Sequence, residues 1–463
     1  MEFRSLCVLG LGYIGLPTAS TFATHGLEVV GVDVNRRIVD VLRNGEVHIQ
    51  EPGLRALVQE AFRSGRLRVS DQPEPADAFI IAVPTPIAPP AIPSVSPSAS
   101  PSPSASLQGP AALQGPTGLQ GPSAGAARAD LSYVRAAAES IVPHLRRGNL
   151  VVLESTSPPR TTVDVVAPIL ERSGLRLGPD VHLAYSPERV LPGQILRELI
   201  ENARVIGGID DASAGAGRDL YAAFVKGEII LTDATTAEFV KLMENTFRDV
   251  NIALANEFSR LAERFGVDVW EAIDLANRHP RVSVLRPGPG VGGHCISVDP
   301  WFLVEAAPDL SPLIRQARQV NDGQPGWVVD GIEKALGGLR GRTIAALGLA
   351  YKQDVDDLRE SPAIAVVREL SARGARVRTY EPNAPAASVE GAEAVRSLEL
   401  ALDGAEAFVL LVDHRPFRAL DPALAARRMA GRIAFDARGV LPRAAWREAG
   451  FAVHVLGAGG GHA

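Results

Sequence analysis

Cysteine is nearly absent from this chain. Two in 463 residues, Cys7 and Cys295, are too few for a disulfide framework. No apolar run reaches the roughly 18 residues that a membrane-spanning helix needs. The N-terminus has no basic segment leading into an unbroken apolar stretch, because glycines interrupt it at once. A basic excess is missing too: the net charge of −6 argues against nucleic acid or an anionic membrane as a partner. A small anionic ligand, held by a few local Arg and Lys residues, stays open. These deficits predict a reducing, cytoplasmic setting. One stretch lacks charge altogether. From Ala78 to Ala127 there is no Asp, Glu, Lys or Arg, and from about residue 87 the chain is mostly Pro, Ser, Ala and Gly. Leu-Gln-Gly-Pro occurs there three times, at 107, 113 and 119. Residues 87–129 have too little side chain for a core and are expected to be an extended surface insert.

What remains is an ordinary globular composition, 46% hydrophobic and 22% charged, long enough for two or three domains. An apolar strand at residues 6–9 runs into Gly10-Leu-Gly12-Tyr13-Ile14-Gly15 and then a helical run to His25. A second strand, 28–32, ends at Asp33. Strand, glycine turn, helix, strand and acid in that order form a dinucleotide fingerprint: the turn admits a pyrophosphate and the acid takes ribose hydroxyls. Asp33 would repel a 2′-phosphate, which favours NAD over NADP. A further strand, 78–83, ends at Pro84-Thr85-Pro86, where Thr85 faces the cofactor crevice. Strands at 150–153 and 181–185 lead into loops carrying Thr156, Glu188 and Arg189.

Residues 235–265 read as one long helix. Phe239, Leu242, Phe247, Val250 and Leu254 supply an apolar face, while Lys241, Asn245 and Arg248 share another stripe. On spacing alone, such a polar stripe is more often a solvated face than a site. From residue 341 a second α/β pattern begins, with strands expected at 343–347, 376–380, 407–412 and 433–436. Its first turn has a single glycine, so it is expected to take a different nucleotide. The expected architecture is α/β: two Rossmann-like, doubly wound domains (1–215 and 336–463) joined by a central helical region (216–335).

Between the two lies Gly288-Pro-Gly-Val-Gly-Gly-His-Cys295. A glycine loop can bring backbone amides close to a ligand and present a nucleophilic thiol among them. An isolated cysteine is more often simply buried. What lifts Cys295 is the company: a cationic stripe, a hydride-acceptor site and a second nucleotide domain. No metal is called for.

Seven segments together resemble the UDP-glucose/GDP-mannose dehydrogenase family. They are residues 10–15, Pro84-Thr-Pro86, Glu154-Ser-Thr-Ser-Pro158, Pro187-Glu-Arg-Val-Leu-Pro-Gly193, Lys241-Leu-Met-Glu-Asn245, the 287–295 loop and Asp356-Asp-Leu-Arg-Glu-Ser-Pro362. Within the family, the 188–193 segment and Gly-His-Cys-Ile-Ser-Val-Asp-Pro-Trp-Phe favour members that oxidise UDP-N-acetyl-D-mannosamine. The resemblance implies a homodimer and an NAD-dependent, four-electron oxidation of a sugar C6 alcohol to a carboxylate. It implies Cys295 as nucleophile, Lys241 and Asn245 as its charge and oxyanion partners, and Asp299 as base. Glu188 and Thr156 would position substrate or water. Cofactor contacts would come from Gly10, Gly12, Tyr13, Ile14, Gly15, Asp33, Thr85, Thr156 and Arg359. Substrate contacts would come from Arg189, Val190, Lys241, Asn245, Arg248, His279, Gly292 and Lys352, with Arg281 serving a neighbouring subunit. Rival expectations are the same reaction on another nucleotide sugar (UDP-N-acetyl-D-glucosamine or UDP-glucose), a two-electron dehydrogenase of the hydroxyacyl or 6-phosphogluconate type, and a catalytically idle NAD- or UDP-sugar-binding regulator.

Overall fold

In the computed structural model, residues 1–88, 128–293 and 295–459 are described. The first sheet contains eight strands: β1 (Ser5–Leu9), β2 (Glu28–Val32), β3 (Leu67–Ser70), β4 (Ala78–Ile81), β7 (Asn149–Leu153), β8 (Val181–Tyr185), β9 (Arg204–Gly208) and β10 (Ile229–Asp233). Two short strands, β5 (Ile87–Ala88) and β6 (Arg128–Ala129), pair separately. The spatial order is 10-9-8-7-4-1-2-3, parallel except where β9 runs against β8. Near-continuous Val, Ile and Leu in β1, β4 and β7 follow from burial on both faces. β1 pairs with β2 on one side and β4 on the other, so the switch point of the sheet lies beyond Leu9 and Ile81.

The second sheet is wholly parallel, in the order β13 (Ala392–Ala394), β12 (Arg376–Tyr380), β11 (Thr343–Leu347), β14 (Ala407–Leu410), β15 (Ile433–Asp436), β16 (Ala452–Val455). This is the doubly wound order, with its switch point between β11 and β14. Each sheet has a separate apolar core on either face.

A 32-residue helix, Ala234–Phe265, joins the two units. Asp233 caps its start by accepting from the Thr236 amide at 2.9 Å, and Gly266 ends it at φ 71°. At about 1.5 Å per residue it is roughly 48 Å long, enough to touch both domains. Its far end docks on the second domain through Glu263, which accepts from Gly457 and from the Trp327 indole. The first sheet thus runs to Asp233, past the boundary drawn near 215 from sequence. Helix Gln324–Leu336, drawn as central, packs Val328, Val329 and Ile332 into the second domain's core.

The expected apolar face of the long helix holds only at Leu242, which is buried, and Val250, which is half-buried. Its buried positions are mostly small or polar, including Ala237, Glu238, Lys241, Thr246, Asp249 and Asn256. Phe239, Phe247 and Leu254 are exposed, Phe247 by 69%. Small residues let the helix approach the first sheet closely, and that inward side carries Lys241 and the half-buried Asn245, while Arg248 of the same stripe is exposed. The expected insert is also trimmed at its ends: Ile87 pairs with Ala129 and Ala88 with Arg128. Its two ends leave from one place, with the Asp130 amide donating to Pro86 at 2.8 Å. Residues 89–127, including the three repeats, lie outside the described residues.

Candidate active site

The glycine turn after β1 divides its work among three positions. Gly10 has φ 94°, and a Cβ there would stand 2.4 Å from the Ala82 carbonyl oxygen. A Cβ on Gly15 would stand 1.8 Å from the Gly10 oxygen. Gly12 meets nothing within 4 Å, so its backbone borders open space. Ile14 precedes the helix Gly15–Thr24, whose amino end faces that space. Asp33 accepts from the Leu11 amide at 3.0 Å and from the Asn35 amide at 2.8 Å, which holds its carboxylate at the crevice. Thr85 presents a buried hydroxyl with no hydrogen-bond partner among the described residues. An open backbone cradle, an acid at the second strand's end and an orphaned hydroxyl together fit a dinucleotide with free ribose hydroxyls. Gly12→Val should weaken NAD binding about tenfold or more in calorimetry while leaving the melting temperature near wild type. Gly15→Ala should instead lower the melting temperature, because its Cβ meets backbone.

The residues expected to react come from the long helix and the segment after the glycine loop. Cys295 is half-buried, and its carbonyl accepts from the amides of Val298 and Asp299, at 3.0 and 2.8 Å. This turn leads into helix Asp299–Ala306. The Asn245 amide donates to Asp299 Oδ2 at 2.5 Å. Burial pushes the Asp299 carboxyl up to about 6, against the pull of Lys241 and the Asn245 bond. Burial, with the Asp299 carboxylate next, pushes the Cys295 thiol up to about 11, while Lys241 and Arg359 pull it down. Cys295, Lys241, Asn245 and Asp299 therefore form one electrostatic unit. At rest its sulfur carries a proton and its carboxyl is the group that titrates near neutrality.

The glycines beside Cys295 have a different task from the one expected. A Cβ on Gly292 would stand 2.5 Å from the Glu360 carbonyl oxygen and 2.7 Å from Pro362. One on Gly293, at φ 83°, would meet the Tyr351 ring at 2.9 Å. The loop is stripped of side chains so that the second domain's 351–362 segment can lie directly on it. The Gly293 amide donates to the Arg359 carbonyl at 3.1 Å, and the Arg359 guanidinium lies 4.8 Å from the centre of the Tyr13 ring. Arg359 thus links the Cys295 loop to the cofactor turn. Lys352 donates to the Pro192 carbonyl at 3.4 Å; burial, then the nearby Arg248, lower its pKa.

Other expected contacts are placed differently. Arg189 forms a two-pronged ion pair with Glu244, at 2.5 and 3.0 Å. Val190 packs against the first core. Glu188 is buried and bonded to Arg204 at 2.7 Å. Thr156 is half-buried on the loop after β7, while Arg248, His279 and Arg281 are exposed. The Arg281 amide donates to His279 Nδ1 at 3.3 Å, well within their own loop.

The second domain adds residues that sequence reasoning missed. Glu381, at the end of β12, accepts from the amides of Leu349 and Ala350 at 2.7 and 3.0 Å and sits 3.0 Å from His414 Nε2. Burial raises its pKa, but His414 and the amides outweigh that and leave it below the usual range. It repeats the Asp33–Leu11 arrangement, and an acid ending the second strand of a βαβ unit was the available signal. Beside it, at the switch point, a pocket is lined by Pro289, Gly290, Tyr351, Lys352, Asp413 and Arg438. The Cys295 loop forms one of its walls. Among the described residues there is no metal-binding cluster and no helix long and apolar enough to cross a membrane.

Two nucleotide-type sheets, with a cysteine, lysine, asparagine and aspartate between them, define a dinucleotide-dependent dehydrogenase with a second nucleotide site. Three profiles of the UDP-glucose/GDP-mannose dehydrogenase family match: the NAD binding domain at 4–92 and 117–225, the central domain at 235–323 and the UDP binding domain at 345–443. The chain is 43% identical over 463 residues to UDP-N-acetyl-D-mannosamine dehydrogenase of Methanococcus maripaludis, covering 99% of this chain and 98% of that one. It is 46% identical to NDP-N-acetyl-D-galactosaminuronic acid dehydrogenase of Ralstonia solanacearum, covering 95% and 97%. The solved UDP-D-ManNAc dehydrogenase of Pyrococcus horikoshii superposes with a TM-score of 0.84 at 39% identity, covering 98% of this chain and 100% of that one. The protein belongs to the UDP-glucose/GDP-mannose dehydrogenase family and is an NAD-dependent nucleotide-sugar dehydrogenase.

Proposed function

We propose that the protein oxidises UDP-N-acetyl-D-mannosamine at C6 to UDP-N-acetyl-D-mannosaminuronate, using two NAD and one water per sugar. The observation that carries this reading is the Cys295–Lys241–Asn245–Asp299 cluster between the two nucleotide domains. NAD, when bound, supplies the hydride acceptor for both oxidations. Asp299 takes the C6 hydroxyl proton as the first hydride leaves, giving an aldehyde. The Cys295 sulfur then bonds to the aldehyde carbon and its proton passes to the oxygen, giving a thiohemiacetal that keeps the intermediate covalently held. Lys241 and Asn245 donate to the oxygen while it carries negative charge. Loss of the second hydride and the hydroxyl proton leaves a thioester. Water adds at its carbon, the C–S bond breaks and the carboxylate departs. The sum is one alcohol, two NAD⁺ and one water giving one carboxylate, two NADH and three protons.

The thiolate is the attacking form; burial raises the Cys295 pKa, and the Lys241 ammonium is the cation that pulls it down. Glu188 and Thr156 position substrate or water from the first domain. Lys352 and Arg248 meet the diphosphate where the second domain touches the 187–193 loop, with Arg189, Val190 and Gly292 shaping that wall. Exposed His279 and Arg281 suit a site completed by another subunit.

A homodimer fits the long helix. Phe239, Met243, Phe247, Leu254, Phe258, Leu261 and Phe265 lie exposed at spacings of three, four and seven, one stripe for a second copy to cover. Phe247→Glu should shift the protein from dimer to monomer in sedimentation; an unchanged sedimentation coefficient would count against this face. A cytoplasmic location, which the scarcity of cysteine favours, keeps Cys295 reduced. UDP-N-acetyl-D-mannosamine, UDP-N-acetyl-D-glucosamine, UDP-glucose and GDP-mannose should be assayed for NADH. The expected preference for the first is at least about tenfold in kcat/KM. Preference for another sugar would move the substrate assignment, and calorimetric binding without NADH would favour a regulator.

A further inference from the structure

A buried group of charges surrounds Glu188 at the crevice edge of the first sheet, and its other members take no part in the steps above. Glu154 follows β7, Ser186 and Glu188 follow β8, and Arg204 opens β9. Strand direction brings them together. β7 and β8 are parallel and end on the crevice side, whereas β9 is antiparallel to β8, with Tyr185 opposite Gly207. A reversed strand begins where its neighbours end, so Arg204 starts at the crevice.

The Arg204 guanidinium lies 4.2 Å from the centre of the Tyr221 ring. It donates to Glu188 Oε2 at 2.7 Å, to Glu154 Oε1 at 3.2 Å and to Ser186 Oγ at 3.0 Å. The Tyr221 hydroxyl donates to Glu154 Oε1 at 2.8 Å. The second Glu188 oxygen accepts from the Arg189 amide at 2.7 Å, so both its oxygens are fixed. Arg204, Glu154, Glu188 and Tyr221 are all nearly inaccessible to solvent, and Glu154 Oε2 has no hydrogen-bond partner among the described residues.

One guanidinium faces two carboxyl groups, and burying an uncompensated charge is costly. The group is neutral when one carboxyl holds a proton. Burial pushes Glu154 up to about 7 against the pull of Arg204, which makes Glu154 the acid able to hold that proton. A purely structural ion pair would need only one of these acids. Glu188 also sits in the 187–193 segment, which Glu51 holds from below through the Gly193 and Ile195 amides, both at 2.8 Å. Lys352 holds the same segment from the second domain.

We propose that Arg204 is a positioning residue for the oxidation: forked between Glu154 and Glu188, it fixes the Glu188 carboxylate and the 187–193 segment against the substrate. This rests on Glu188 positioning substrate or water in the reaction described above. Arg204 does not itself touch the reacting atoms.

The test measures kcat, KM and melting temperature for Arg204→Lys, Glu188→Gln and the double variant. Lysine keeps the charge and loses the fork. Each single change should lower kcat about tenfold or more, with KM for the UDP-sugar within about threefold. The double variant should be no slower than the slower single one, because both changes remove the same function. Should Arg204→Lys fail to fold, Arg204→Lys with Glu154→Gln leaves one cation facing one carboxylate and should fold with the same kcat loss. Multiplied effects in the double variant, or a wild-type kcat in any folded Arg204 variant, would overturn the assignment. An active wild type with an indifferent Arg204 leaves the reaction intact; a wild type that makes no NADH from any nucleotide sugar removes the reaction on which Arg204's role rests.

Discussion

Cys295→Ser should lower NADH formation from the UDP-sugar by about a thousandfold or more while leaving binding of both nucleotides near wild type. The turn of Gly10, Gly12 and Gly15 is the cradle proposed for the cofactor, and the pocket proposed for the UDP-sugar takes its wall from Pro289 and Gly290, so neither depends on the sulfur. The loss arises because a serine hydroxyl is a far poorer nucleophile and leaving group than a thiol at neutral pH. Calorimetry with each nucleotide separates this loss of chemistry from a loss of fold. Near-normal turnover would remove Cys295 as nucleophile and, with it, the covalent route.

Asp299→Asn should lower activity about a hundredfold or more and raise stability at the same time. Asp299 is 2% exposed and its carboxyl is pushed from 3.8 to about 6 by burial. A folded-state pKa above the unfolded one means the protonated form is favoured in the fold. That contribution is fully present below about 3.8 and is lost as pH rises through about 6. At pH 7 and above, the wild type therefore carries the cost of a buried carboxylate, up to about 3 kcal/mol at roughly 1.4 kcal/mol per pKa unit. Asparagine removes that cost and still accepts from Asn245. Thermal melts at pH 7.5 should show the variant a few degrees higher, with the gap closing towards pH 4. A variant less stable at pH 7.5 would contradict this electrostatic account. In the wild type, kcat/KM should fall as pH drops through about 6, where the base becomes protonated.

The parts legible in the sequence were those written in local patterns. The 181–185, 343–347, 376–380 and 433–436 strands appear at the expected residues, since apolar runs bounded by glycine or polar turns need no distant partner to be read. The glycine turn at residues 10–15 and Asp33 likewise carry their geometry in their spacing. The long helix was legible as a helix but not for which side is buried. Apolar periodicity finds a stripe; it does not say whether the partner is the same chain. Phe247 and Phe265 face outward because small residues and Lys241 occupy the inward side.

The glycines at 292 and 293 were legible as a backbone requirement, yet their contact is Tyr351, Glu360 and Pro362 of another domain. No local signal connects positions about sixty residues apart. The same holds for Arg204: its strand was missed, and its role depends on a strand reversal that only the assembled sheet displays. Glu381 was missed for a different reason. The second fingerprint has one glycine instead of three, so its acid went unsought although it ends the second strand as Asp33 does.

The central claim is that one cysteine holds the sugar between two oxidations in a single site. Its most direct test is the stoichiometry of NADH to uronate with limiting UDP-N-acetyl-D-mannosamine and excess NAD. The account predicts two NADH for each sugar consumed, with no free aldehyde trapped by hydroxylamine or semicarbazide. One NADH per sugar, with trapped aldehyde accumulating, would contradict it.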